Sequence, residues 1–203
     1  MRDQWYGDNR DLVKWGTLFL LARKFRAKTI VQIAYYRPST WGQLEIDGKP
    51  HDVPQEVFKH FRNLGNIEEL RAGPQIKVLM APFDDRGRYM TEVLKAIAAK
   101  GPDPKIVFLD PDTGLEPRNP SMDHVLESEV KEIWDRLQPW DVLVFYQHKT
   151  NRNGQPWIEP KMKQLSGAIG VDKGEIKLAV GHNPNLAQDV ALFYCQKAPA
   201  RKP

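Results

Sequence analysis

Four polar clusters in this sequence come directly after apolar runs, and each carries groups that can do chemistry. Asp84-Asp85-Arg86 follows the run 76–81. Asp110-Pro111-Asp112-Thr113-Gly114 follows Ile106, Val107, Phe108 and Leu109. Gln147-His148-Lys149 follows 141–146, and Gly181-His182-Asn183-Pro184-Asn185 follows 176–180. Paired carboxylates such as Asp110 and Asp112 accept hydrogen bonds from an amine. They also serve as hard oxygen ligands for Mg²⁺ or Mn²⁺, which need only one or two carboxylates. His148 is a candidate proton relay, and Lys149 a candidate partner for an attacked phosphate. Pro111 stiffens the exit from its apolar run, and Gly114 supplies a positive φ if the turn needs one. The competing reading of each cluster is a turn or a helix cap, in which Asp or Asn bonds its own backbone. His182-Asn183-Pro184-Asn185, with its Asn-Pro step, reads more readily as such a turn.

The elements that must position these groups follow from periodicity. Asp8 or Asn9 caps a helix that runs to about residue 26, with Leu12, Trp15, Phe19 and Ala22 at helical spacing. The β-branched and aromatic run 29–36 reads as a buried strand. Turn signals fill 37–54, an insertion in which Asp47-Gly48 closes a small hairpin, and a short helix over 55–64 follows. Strands over 76–81, 105–109, 141–146, 176–180 and 190–195 alternate with helices over 86–100, 122–137 and 157–169. Alternation of this kind predicts a three-layer α/β/α, Rossmann-like fold with a mainly parallel sheet. The loop 181–189 is too short for a parallel crossover, so the last strand is expected to be antiparallel. Carboxyl ends of parallel strands share one edge of a sheet. Asp84, Asp85, Asp110, Asp112 and His148 are therefore expected to meet in one pocket.

Composition bounds the rest. The 203 residues are expected to form a single domain, with 41% hydrophobic and 28% charged residues, close to ordinary globular usage. No apolar run reaches the ~18 residues of a membrane span, and the start lacks signal-peptide order, so a cytoplasmic protein is expected. Cys195, the one cysteine, excludes an internal disulfide framework and reads as a buried small hydrophobe. The net charge is +4, and the segment up to Lys28 alone holds Arg2, Arg10, Lys14, Arg23, Lys24, Arg26 and Lys28 against three acids. The stretch 149–163, from Lys149 to Lys163, and the tail with Lys197, Arg201 and Lys202 are also basic. Clustered bases suit a phosphate backbone, so nucleic acid is the expected partner, through the N-terminal helix and 149–163. A solvated helix face is the plainer alternative. Trp41, in the turn-rich insertion, is the best candidate for stacking on a base, whereas Trp134 is expected in the core.

The acid-proline turn after an apolar strand, followed by a strand, a helix and two closing strands, resembles the second half of class I S-adenosylmethionine-dependent methyltransferases. Their amino-methylating members carry Asp-Pro-Pro-Tyr at this turn. Here Asp110 and Pro111 match while Asp112 and Thr113 depart. The glycine-led helix start Gly7-Asp8-Asn9-Arg10-Asp11 resembles that of ribosomal-RNA adenine methyltransferases. The resemblance implies S-adenosylmethionine as cofactor, amino-group methyl transfer to a base, and Asp110 with Pro111 gripping the target amine. It implies a cofactor side lined by Asp8, Asn9, Tyr35 and Tyr36. The glycine-rich turn expected after the first strand is absent, and Tyr35-Tyr36-Arg37-Pro38 stands in its place. Two other classes stay open. One is a divalent-metal nuclease or phosphoesterase, with Asp84, Asp85, Asp110 and Asp112 as metal ligands and His148 and Lys149 as helpers. The other is a non-catalytic module that binds nucleic acid or a partner.

Overall fold

The structure is a computed structural model that describes residues 7–38, 42–57, 63–71, 73–99, 101–149, 154–181 and 186–199. Helix α1 (Asn9–Phe25) opens the fold. Its cap is Asp8, whose carboxylate accepts from the backbone N–H of Arg10 at 2.8 Å and of Asp11 at 3.1 Å. This satisfies two of the donors that a helix start leaves over. The buried face is Asp11, Lys14, Trp15, Leu18 and Ala22, while Leu12, expected on that face, points to solvent. The helical period thus lays an acid and a base, rather than a leucine, against the sheet.

Strand β1 (Thr29–Ile33) is buried along most of its length. It stops short of the expected residue 36 because Tyr35 takes φ +47°, a left-handed conformation that breaks the pleat. Strands β2 (Gln43–Ile46) and β3 (Lys49–Asp52) form the expected hairpin inside the insertion. Asp47 and Gly48, at φ 54° and 72°, make its two-residue turn. Then follow β4 (Gln75–Leu79), α2 (Arg86–Ile97), β5 (Lys105–Leu109), the short pair β6 (Gly114–Leu115) and β7 (His124–Val125), α3 (Glu127–Arg136), β8 (Val142–His148), α4 (Ile158–Ile169), β9 (Lys177–Ala179) and β10 (Val190–Gln196). The helix expected over 122–137 begins only at Glu127, because His124 and Val125 pair in parallel with Gly114 and Leu115. Glu129 caps its start, accepting from the Leu126 N–H at 2.9 Å.

The main sheet has the order β4-β1-β5-β8-β10-β9. Strands β4, β1, β5 and β8 are parallel, and β10 runs antiparallel to both neighbours. The fold is therefore the expected three-layer, Rossmann-like one with a mainly parallel sheet. Alternation along each strand divides the core into two. Val31, Ile33, Val107, Leu109, Phe145 and Phe193 pack against α2, α3 and α4, with Trp134 in that core. Ile30, Ile106, Phe108, Val144, Tyr146 and Leu192 pack against α1. Connections leave β1 toward β4 on one side and reach β5 on the other, so the switch point lies at the carboxyl ends of β1 and β5. No helix among the described residues is long and apolar enough to cross a membrane.

Candidate functional site

A cleft of about 270 Å³ opens beside that switch point, between the carboxyl ends of β5 and β8 and the start of α1. Its lining includes Asp8, Arg10, Lys14, Asp112, Tyr146 and His148, with Pro111 and Thr113 behind them. Of the residues expected to converge, Asp112 and His148 line it. Asp84 and Asp85 do not. They follow β4, the edge strand, two places away from β5. There Asp84 pairs with the Arg88 side chain in the first turn of α2, and Asp85 caps α2 through the Arg88 N–H at 2.8 Å. The capping role weighed against a metal role is the one Asp85 fills, and Asp84 forms a surface ion pair.

Asp110 is fully buried at the end of β5. Its carboxylate accepts from Gln32 Nε2 at 2.8 Å and lies 3.0 Å from Lys14 Nζ. It therefore faces α1 beneath the cleft, not a substrate amine. Lys149 is exposed outside the lining, and its N–H donates to the Asp189 carbonyl at 2.7 Å. Asn9 is exposed on the first turn of α1. His182, Asn183, Pro184, Asn185, Trp41 and Arg201 lie outside the described residues.

Three cations organise the acids around the cleft, each shared between two carboxylates. Lys14 lies 2.9 Å from Asp11 and 3.0 Å from Asp110, with its Nζ 4.6 Å from the centre of the Tyr146 ring. Arg10 bridges Asp8 at 3.0 Å and Asp189 at 2.6 Å. Arg37, from the turn after β1, bridges Asp112 and Asp123. Burial disfavours the Lys14 charge, but Asp110 and Asp11 outweigh it and hold the ammonium above its ordinary range. Burial pushes Asp11 up, against the pull of Lys14. Asp189 moves down instead: burial opposes its charge, and the Arg10 hydrogen bond, with His148 nearby, overcomes that. Burial also raises the Tyr146 phenol. Carboxylates outnumber cations in this ring, so its residual charge is negative.

His148 Nε2 is 2.9 Å from Asp189 and Nδ1 is 3.1 Å from the Lys149 carbonyl. Both ring nitrogens thus face acceptors, and the imidazole is fixed at the rim of the cleft. The turn 110–115 is pinned by Gln147, a fully buried side chain of β8. Its amide donates to the Thr113 carbonyl at 3.1 Å and accepts from the Leu115 N–H at 3.0 Å. Gly114 sits at φ +123°, and a Cβ there would lie 2.4 Å from the Gln147 amide, so glycine is required at this position.

The turn after β1 does not fit S-adenosylmethionine. A glycine-rich turn lets the backbone approach the cofactor. Here the Tyr35 ring is buried against Phe83 and Tyr89, with centroids 5.1 and 5.2 Å away. The Tyr35 N–H, which would face a ligand, donates to Tyr89 Oη at 2.7 Å. Tyr36 packs beside Ala34 and Leu64. For a metal, no three His, Cys, Asp or Glu side chains group as a ligand set among the described residues.

Sequence reasoning passed over Asp11, Gln32, Arg37 and Asp189, and took Lys14 for a surface base. The signal for Lys14 was available: Asp11, Lys14, Trp15 and Leu18 share one helical stripe. No family model and no curated protein matches the chain. Among solved structures, that of a candidate methyltransferase from Thermobifida fusca YX aligns over 94% of this chain and 80% of its own. The identity is 13% and the TM-score 0.44. The fold assignment rests on the strand order described above.

Proposed function

We propose that this chain is a methyltransferase-like protein that acts on nucleic acid and receives a nucleobase in the cleft between β5 and β8. The observation that carries this reading is the ring of shared cations, which leaves negative charge around an open cleft at the acid-proline turn. A phosphate is repelled from such a ring. The amino edge of a base is attracted, because it offers N–H donors without negative charge. Asp112 lines the cleft on a pinned turn, where its carboxylate pairs with Arg37 and is held at the opening. The closing strands support the methyltransferase-like reading, with β10 antiparallel between β8 and β9. No step through S-adenosylmethionine is derived, since the turn after β1 is filled by aromatic rings.

The test is thermal stabilisation by nucleosides. Cytidine and adenosine, which carry an exocyclic amine, are expected to raise Tm, and uridine is not. A ligand at 100 times its Kd adds ~2.7 kcal/mol, or about 5–10 °C for a chain of this size. Asp112→Asn is expected to lower the affinity for both amino nucleosides. Equal stabilisation by uridine, or none by any nucleoside at millimolar concentration, overturns the reading.

A further inference from the structure

The chain carries a net charge of +4, and one concentration of bases lies at the far end of α1 from the acid-biased cleft. The last turn of α1 and the residues after it form one wall of a second groove, at the amino ends of the strands. This groove, of about 650 Å³, is lined by Arg23, Phe25, Arg26 and Lys28, and across from them by Pro74 and Pro104. Backbone bonds fix that wall: the Lys28 N–H donates to the Pro104 carbonyl at 3.2 Å, and the Lys28 carbonyl accepts from Gln75 at 2.8 Å. Among the described residues Asp103 is the one carboxylate in its lining. Among the described residues, none of Arg23, Arg26 and Lys28 enters an ion pair. Every cation at the cleft, in contrast, is shared by two acids.

Two further features mark this groove. Arg26 is the left-handed cap of α1, at φ 56°. Glycine is the usual residue there, and a side chain in that conformation costs roughly 1–2 kcal/mol. That cost is accepted at a position that projects a guanidinium beside the groove. The helix dipole accounts for bases in the last turn, Arg23 and Lys24, but not for Arg26 and Lys28 beyond it. Aromatic surface lies alongside. Phe25 meets Tyr194 edge-on at 6.1 Å, and the Lys24 ammonium lies 5.2 and 5.4 Å from the two ring centres. A concave groove with unpaired bases and adjacent rings is the surface on which single strands track their backbone and stack bases.

We propose that this groove binds the sugar-phosphate backbone of single-stranded nucleic acid, through Arg23, Arg26 and Lys28. The proposal rests on the reading of nucleic acid as the substrate and adds where its charge is held. Helix α1 spans 17 residues, so the groove lies about 25 Å from the cleft. One nucleotide cannot reach both, and the two sites serve different parts of one strand.

The experiment is fluorescence anisotropy of a labelled 15-mer of thymidine across 50–200 mM salt, with the full chain. Thymine lacks an exocyclic amine, so the backbone dominates the signal. The charge-reversed variant Arg23→Glu/Arg26→Glu/Lys28→Glu is expected to weaken binding at least tenfold. The milder Arg23→Gln/Lys28→Gln is expected to weaken it severalfold with Tm unchanged, which separates lost binding from lost folding. The slope of log K against log salt is expected to fall by about 2 in the triple variant, from ~0.7 per phosphate contact on a single strand. Lys95→Gln, at an exposed base of α2 across the sheet from α1, is expected to bind the 15-mer like wild type. If the groove variants lose no more affinity than Lys95→Gln, the groove assignment falls, and the cleft reading is judged by the nucleosides alone. If wild type does not bind the oligonucleotide while cytidine and adenosine still raise Tm, the groove assignment falls and the cleft reading stands; if neither binds, both fall. Binding of anionic vesicles or an acidic peptide in preference to the oligonucleotide also overturns the assignment.

Discussion

Replacing Lys14 by methionine keeps the length of the side chain and removes the charge that holds two buried carboxylates together. Asp11 and Asp110, at 7% and 1% side-chain exposure, lie 2.9 and 3.0 Å from Lys14 Nζ. Water cannot replace the lysine at that depth. Breaking a buried pair by removing one partner costs about 3–5 kcal/mol, and here one lysine serves two acids. Against a total stability of roughly 5–15 kcal/mol, the variant remains folded but loses about 6–20 °C in Tm. The loss is expected to depend on pH, with a sign fixed by Asp11. Burial already raises the folded-state pKa of Asp11 above its unfolded value. Between those two values the native state binds more protons than the unfolded state, so stability falls as pH rises. Without the lysine that window widens upward, and the deficit of the variant is larger at pH 7 than at pH 4.5. Lys14→Met/Asp11→Asn is expected to recover part of the loss at pH 7. Thermal melts at the two pH values measure this. A Tm change below about 2 °C, or a deficit independent of pH, refutes the electrostatic account of the α1–sheet contact.

Further outcomes follow from local geometry. Gly114→Ala, which places a Cβ 2.4 Å from the Gln147 amide at φ +123°, is expected to cost more than ~1 kcal/mol in a urea melt. Truncating the clashing partner in Gly114→Ala/Gln147→Ala leaves the φ strain in place. Arg86 donates to Glu129 at 2.8 and 3.0 Å and to the Ser121 and His124 carbonyls, tying α2 to α3. Arg86→Ala is expected to cost about 3 kcal/mol by leaving the buried Glu129 unpaired. The Cys195 thiol is buried and pushed up to about 11 by burial, so its labelling by a disulfide reagent at pH 8 is expected to track unfolding. Rapid labelling of the native chain contradicts its place in the core.

The parts of the fold that were legible in the sequence are those set by local pattern. Ile106 to Leu109 is apolar on both faces, as a central parallel strand must be, and Asp47-Gly48 names its own turn. The loop after β9 is too short for anything but an antiparallel return. What escaped was set by pairing at a distance. Nothing local distinguishes Val125 on a helix from Val125 paired with Leu115. Asp84 and Asp110 both follow strands and look alike in sequence. Only the strand order, with β4 at the edge and β5 inside, separates a solvent-facing acid from a buried one. Arg37 and Asp123 meet Asp112 from far along the chain, so the shared-cation pattern exists only once the sheet has formed. Lys14 was the readable exception, since its place on the Trp15 and Leu18 stripe needed only the helical period.

The insertion of β10 between β8 and β9 has a consequence for how the protein is made. Among the described residues strand β9 is bonded only to β10 within the sheet, so it emerges from the ribosome before its partner. Until Val190–Gln196 follows, the open side of β8 is a bare row of peptide groups flanked by Val144, Phe145 and Tyr146. A chain interrupted before β10 leaves two strands, not one, out of the sheet, and with them the placement of Asp189, the carboxylate that ties Arg10 and His148 together at the cleft. Closure of the sheet and completion of the site are therefore the same late event in synthesis.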